Sequence, residues 1–213
     1  MARLVDISPA LSPRLAAWPG DVPFARALRL SLDSAEGVEV SALSMSSHAG
    51  AHVDAPSHVI AGAPTVDELS LDAFYGPCQV VAVDLPPGAR IRPEDLPGPL
   101  EAPRVLLRTG SAPDEGSFRT DFCSISPELV RHLAASACVL VGIDTPSVDC
   151  FDAFPLASHI ALAEAGISSL EGLRLAHVPP GIYTLIALPL RVEGGEGSPV
   201  RAALVERPSG PGS

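Results

Sequence analysis

A single mixed α/β domain with few helices is the fold class that the sequence predicts, and three observations predict it. Short runs rich in Val, Ile and Leu, bounded by Pro, Gly, Asp and Ser, recur along the whole chain. Capped helical patterns are few by comparison. No linker divides the 213 residues, a length sufficient for one domain with a proper core. The domain is expected over residues 1–206. The Pro, Gly and Ser of 207–213 are expected to form a disordered tail.

The elements follow in chain order. Strand signals cover residues 4–7, 27–32, 38–46, 78–85, 104–109, 138–144 and 183–189, with a final one over 200–205. The third leads directly into a histidine-rich segment. The runs at 78–85 and 138–144 are almost continuously apolar, as expected of strands covered on both faces. Ser126, Pro127 and Glu128 supply a cap, a proline at N1 and an acid in the first turn, so a helix continues over 129–137. A second helix is expected over 156–165, with Gly166 suited to its C′ position. A third, weaker helix signal covers 67–75, either as one helix or as two short turns. The 23 prolines predict well-defined, often extended connections.

Composition excludes several functions. Charged residues make up 18% and hydrophobic residues 46%, so the chain is globular rather than disordered. It has no lysine, which removes both a Schiff-base lysine and a P-loop. A formal net charge of −11 argues against nucleic acid and anionic membrane surfaces as partners. It weakly suits a cationic or zwitterionic substrate, but a solvated acidic surface explains it better. No stretch reaches bilayer-spanning length, and the N-terminus lacks a signal-peptide core. The four cysteines have no CxxC spacing and read as free thiols. The expected compartment is the cytoplasm.

The chemistry concentrates in one segment, His48-Ala49-Gly50-Ala51-His52-Val53-Asp54-Ala55-Pro56-Ser57-His58, which holds three of the six histidines. Imidazole and carboxylate are the ligands preferred by Zn²⁺ and similar divalent ions. A histidine-rich surface turn is the plain alternative, but Gly50 and Pro56 also shape the segment. They make a continuous metalloprotease-like helix unfavourable and an extended or looped path better. In a strand, His52 and Asp54 point to the same side, and a turn at Gly50 brings His48 to join them. With no cysteine nearby, this is not the usual closed structural zinc site. Metal-assisted hydrolysis fits, with a free histidine moving protons. His132 and His177 read as structural or loop residues. On position alone His159 is more structural than functional, and Glu164 and Glu171 are equally ambiguous. There is no Gly-x-Ser-x-Gly elbow for a serine nucleophile.

This segment resembles the His-x-Gly-Thr-His-x-Asp-x-Pro-x-His signature of the metal-dependent cyclase-like hydrolases. The pieces Asp6-Ile7-Ser8-Pro9, Trp18-Pro19-Gly20-Asp21, Tyr75-Gly76-Pro77-Cys78 and Gly142-Ile143-Asp144-Thr145-Pro146-Ser147 look like the bacterial kynurenine formamidase branch. So do Leu170-Glu171-Gly172-Leu173, Pro179-Pro180-Gly181 and residues 185–190. The resemblance implies a swivelling β/β/α fold, a homodimer or homotetramer, and a binuclear site of two Zn²⁺ per subunit, with Mn²⁺ as the alternative. It implies His48, His52 and Asp54 around the first metal, with Asp54 reaching the second. His159 would ligate that second metal and Glu171 would bridge both. His58 would donate and accept the proton, and Trp18 would lie against an aromatic formamide substrate. The implied reaction is hydrolysis of N-formyl-L-kynurenine to L-kynurenine and formate.

Ala51 stands where the wider family has threonine, which removes a hydroxyl able to bond a ligand but no ligand itself. Two rival readings remain open at this stage. One is a family hydrolase acting on isatin or another cyclic amide or lactone. The other is a non-catalytic metal-binding protein.

Overall fold

The computed structural model describes residues 3–113 and 116–206, so the expected tail at 207–213 lies outside the described residues. Its strands are β1 (Arg3–Asp6), β2 (Ala25–Leu30), β3 (Val40–Ser44), β4 (His52–Asp54), β5 (Tyr75–Ala82), β6 (Arg90–Ile91), β7 (Arg104–Arg108), β8 (Ser124–Ile125), β9 (Leu140–Ile143), β10 (Ser168–Leu170), β11 (Gly181–Ile186), β12 (Gly197–Pro199) and β13 (Ala203–Glu206). Two α-helices accompany them among the described residues, α1 (Pro127–Ala135) and α2 (Ala157–Ala165). Seven strands form one mixed sheet in the order β1-β13-β11-β5-β7-β9-β10. Its first four members pair antiparallel and its last four parallel, with β5 belonging to both halves. The expected single α/β domain with a mixed sheet and few helices is what the chain forms.

Alternation along the central strands sorts the core into two layers. Cys78, Val80, Leu106 and Leu140 face one way, against Val53 of β4 and Ala51, Leu173 and Leu175 from the loops. Val81, Val105, Leu107, Val141 and Ile143 face the other way, against Leu129, Leu133 and Leu162 of the helices. This two-sided burial accounts for the near-continuous apolar runs of β5 and β9. Gly142 sits within β9 because a Cβ there would lie 2.4 Å from the Leu106 side chain. The guanidinium of Arg104, at the start of β7, is buried and donates to the carbonyls of Asp72, Ala73 and Pro77. It thereby fixes the entry to β5.

The helices form for the reasons expected. The Ser126 hydroxyl accepts from the Leu129 N–H at the start of α1. Gly166 ends α2 with φ +67°. The 67–75 region holds two 3₁₀ turns, Val66–Glu68 and Leu71–Phe74. The last strand starts later than its apolar run. Residues 197–200 are first engaged by the histidine segment: β12 pairs with β4, and the Val200 N–H donates to the Ala51 carbonyl. Only from Ala203 does the chain join the sheet. β2 and β3 form a hairpin outside the large sheet, with Leu28 and Leu43 exposed.

Candidate metal centre and its cavity

Val53 points into the core, so its neighbours His52 and Asp54 point the opposite way, as the two-residue repeat requires. The strand they share, β4, is fixed on both sides. Gly197, Ser198 and Pro199 pair with Asp54, Val53 and His52 on one side. On the other, His52 and Glu171 exchange backbone bonds: the His52 N–H donates at 3.2 Å and the Glu171 N–H at 2.9 Å. That contact depends on two glycines. Gly50 turns the chain with φ +70°, and Gly172, with φ +68°, packs so closely that a Cβ would lie 2.2 Å from the Gly50 carbonyl oxygen. Gly197 leaves room for the His48 ring, 2.8 Å from where its own Cβ would stand. Beyond Asp54, Pro56 opens a single 3₁₀ turn ending at His58, which carries that imidazole back over the cluster.

Six polar side chains converge here. The His52 Nδ1–H donates to the Gly50 carbonyl at 3.0 Å. This leaves Nε2 3.5 Å from Asp54 and 3.3 Å from Glu171. The His159 Nδ1–H donates to Asp149 at 2.8 Å, leaving Nε2 3.3 Å from Asp54 and 3.1 Å from Glu171. His48 bonds Asp54 through Nδ1 at 2.7 Å, and its ring centroid lies 4.4 Å from that of His58. Two trios have ligand atoms all within 4.8 Å of one another: His48, Asp54 and His58, and His52, Asp54 and Glu171. Asp54 is common to both. The structure therefore brings together all six polar residues singled out in the sequence. Glu164, the rival carboxylate, is exposed on α2, and His132 and His177 are exposed and distant in role.

The donor set suits a divalent cation. Asp54 and Glu171 are buried side by side, and among the described residues no arginine pairs with either of them. Two buried carboxylates without a cation would be costly. Among the chain's own groups, the imidazoles supply the balancing positive charge. Burial works to lower the His52 pKa, but Asp54 and Glu171 outweigh it and raise it from 6.5 to about 9. His159 is likewise raised well above 6.5, since Glu171, Asp149 and Asp54 together override burial. Asp54 is held well below its ordinary range: burial opposes this, but His52, His159 and His48 prevail. His58 behaves differently. Burial, aided by His48 and His159, lowers it from 6.5 against the pull of Asp54 and Glu171.

Several contributors escaped sequence reasoning. Asp149, 1% exposed, accepts from the backbone of Ser158 and His159 and from the His159 ring, so it caps α2 and orients the ligand together. The Val148 N–H holds Glu171 at 2.7 Å, and the Ser169 hydroxyl donates to Asp54 at 3.2 Å. Above the cluster lies a cavity of about 510 Å³. Trp18 lines it, with Phe151 at 5.1 Å and Phe118 at 5.3 Å between ring centroids. Four of the six phenylalanines fall between residues 118 and 154, a concentration that could have flagged this wall. The cysteines are free, and burial pushes Cys78 up to about 12 and Cys138 up to about 11. Neither is a ready nucleophile. Among the described residues, no helix is long and apolar enough to cross a membrane.

Comparison with known proteins agrees with this geometry. Residues 5–150 match the family model described as "Putative cyclase". A kynurenine formamidase of Salinibacter ruber is 43% identical over 212 residues, covering 96% of this chain and 98% of that protein. Among solved structures, a predicted metal-dependent hydrolase from Bacillus stearothermophilus superposes with a TM-score of 0.82 at 26% identity, covering 97% of this chain and 100% of the other. Isatin hydrolase A from Labrenzia aggregata gives 0.80 at 28%, covering 96% and 93%. The chain belongs to the cyclase family of metal-dependent hydrolases.

Proposed function

We propose that this protein hydrolyses N-formyl-L-kynurenine to L-kynurenine and formate. The observation that carries this reading is the convergence of three imidazoles and two carboxylates, plus His58, beneath an aromatic-walled cavity. The 43% identical kynurenine formamidase supplies the substrate. In this reading His48, His52 and Asp54 would hold one metal, His159 would hold a second, and Asp54 and Glu171 would serve both. The ions are two Zn²⁺ per subunit, with Mn²⁺ as the alternative. When bound, such ions supply Lewis acidity toward a carbonyl oxygen and bring the pKa of water from 15.7 towards about 7. The fold is then the family's swivelling β/β/α domain over residues 1–206, assembled as a dimer or tetramer in the cytoplasm.

The chain's own residues perform the remaining work. Trp18, Phe118 and Phe151 receive the aryl ring and keep water away from its faces. His58, its basicity lowered by burial, is neutral near pH 7 and free to accept a proton from the attacking water. It then gives that proton to the aryl nitrogen as the carbon–nitrogen bond breaks. The nitrogen leaves as an amine rather than as a poor anionic leaving group, and the formyl carbon leaves as formate.

Incubation with N-formyl-L-kynurenine, following kynurenine absorbance before and after chelation and zinc return, tests the proposal. Rapid turnover that chelation abolishes and zinc restores is the expected result. Absence of turnover in fully metallated protein would reject the substrate. Isatin is the next substrate to assay, because the superposition on isatin hydrolase A favours it specifically. Chelation that unfolds a protein active on neither compound would instead indicate a structural site.

A further inference from the structure

The cavity's charged lining is unevenly committed. Asp54 and Glu171 belong to the metal cluster. The Asp144 carboxylate is fully engaged by Thr109, accepting from its backbone N–H at 3.0 and 3.1 Å and from its hydroxyl at 2.6 Å. Asp21, at the mouth, accepts from the Ser46 hydroxyl at 2.8 Å. Against these acids stands one guanidinium, that of Arg174. It is half-buried and three residues beyond Glu171, and among the described residues no carboxylate lies within ion-pair distance of it. Nη1 donates to the Pro113 carbonyl at 2.5 Å, and Pro113 also lines the cavity. The backbone N–H of Arg174 donates to Ile7 at 2.8 Å. Position and direction are therefore fixed, while among the described residues most of the five donors of the guanidinium have no acceptor.

We infer that Arg174 is a carboxylate-binding subsite, so that the cavity selects aryl amides whose side chain bears a free carboxylate over otherwise identical ones in which that carboxylate is esterified. A partly desolvated guanidinium without a counter-ion gains most from a planar carboxylate, which it can bind through two parallel hydrogen bonds. The cavity then has three subsites in one space: the metal cluster for the formyl group, the aromatic wall for the ring, and Arg174 for the acid. This inference rests on the formamidase reading for the identity of the amide, but not for the preference itself.

The test compares N-formyl-L-kynurenine with its methyl ester, which keeps the ring, ketone and amine and loses only the carboxylate. The zinc-loaded wild type is expected to favour the acid in kcat/KM by on the order of 10–100-fold, the range of a hydrogen bond to a charged group. Arg174→Gln should reduce that preference to within about threefold, chiefly through KM, and Arg174→Lys should keep a substantial part of it. A preference unchanged by Arg174→Gln, or no preference in the wild type, would overturn the inference. Binding of L-kynurenine and its methyl ester to the zinc-loaded wild type gives a readout independent of turnover. If neither formamide is hydrolysed, the formamidase reading falls by itself. Selective binding of the free acid that Arg174→Gln removes would still uphold the subsite, and equal binding of acid and ester would sink it.

Discussion

The two halves of the metal cluster are built differently. His48, His52, Asp54 and His58 come from eleven consecutive residues, placed by one turn at Gly50, three residues of strand and one 3₁₀ turn. His159 and Glu171 come from α2 and the residue just after β10, at the parallel edge of the main sheet. The first half takes its shape largely from local backbone. The second has no shape until β9, β10 and α2 have packed, and it then depends on Asp149 and Val148 for its aim. A local half and an assembled half meet along a bridge, the paired backbone of His52 and Glu171, with the Ser169 hydroxyl on Asp54 beside it. Ligand geometry should therefore fail in different ways when each is disturbed.

The largest expected effect falls within the local half and leaves the assembly intact. His58→Ala should bind metal normally and lose turnover on the order of 10²–10⁴-fold, as expected for removal of a general acid–base group. Metal content and kcat measured on the same sample decide it. Near-normal turnover in a fully metallated variant would remove His58 from proton transfer and leave it as part of the packing.

The bridge itself comes next. Gly172→Ala would place a Cβ 2.2 Å from the Gly50 carbonyl, backbone against backbone, at φ +68°. A cost on the order of 3 kcal/mol or more is expected, because neither partner can rotate away. Gly50→Ala has a similar φ of +70°, but its Cβ would meet only side chains of Pro9, Leu11 and Leu15, at 3.2–3.5 Å. There the cost should stay near the left-handed penalty of about 1–2 kcal/mol. Thermal midpoints of the two variants compare them directly. Equal losses would show that the halves are not joined where Gly172 meets Gly50.

Asp149→Asn sharpens the comparison within the assembled half. The carboxylate accepts from the backbone N–H groups of Ser158 and His159 and from the His159 ring, and asparagine keeps only one accepting oxygen. Metal affinity or activity should fall by roughly 10–100-fold, as for other groups that orient a ligand from behind. The occupancy linked to His159 should be lost first on titration with a chelator. If the cluster holds two ions as proposed, a variant that releases both together would mean that the two halves respond as one unit.

The same division decided what could be read from the sequence. The local half was legible because rare residue types crowd one segment, and because Gly50 and Pro56 rule out a helix through it. Strands β5, β7 and β9 were legible as apolar runs, and α1 through Ser126, Pro127 and Glu128. His159 was not legible by position: it looks like any histidine early in a helix, and only resemblance to a family raised it above His132 and His177. Glu171 stood level with Glu164 by position for the same reason; resemblance preferred it, and the fold buries Glu171 and exposes Glu164. Asp149 and the Gly197–Pro199 strand were invisible because no local propensity marks them. Gly-Ser-Pro becomes a strand only because β4 lies beside it.

The smallest expected effect is one of pH, and it tests whether the halves share charge as well as shape. In the metal-free chain the His52 pKa is raised from 6.5 to about 9, chiefly because Asp54 and Glu171 outweigh burial. An imidazole whose pKa is higher folded than unfolded contributes stability that is complete below pH 6.5 and is lost as pH rises through about 9. His159, raised as well, acts in the same direction. Asp54 and Glu171, both lowered by the histidines, contribute above the ordinary carboxylate range and lose that contribution in acid. The metal-free protein should therefore be most stable from about pH 5 to 6.5, with a thermal midpoint that declines by several degrees towards pH 9. If zinc occupies the cluster as proposed, it takes over from those protons as the counter-charge, and the zinc-loaded protein should show a flatter profile across the same window. Identical slopes with and without zinc would mean that the cation does not sit between these carboxylates, and the ligand set would have to be redrawn.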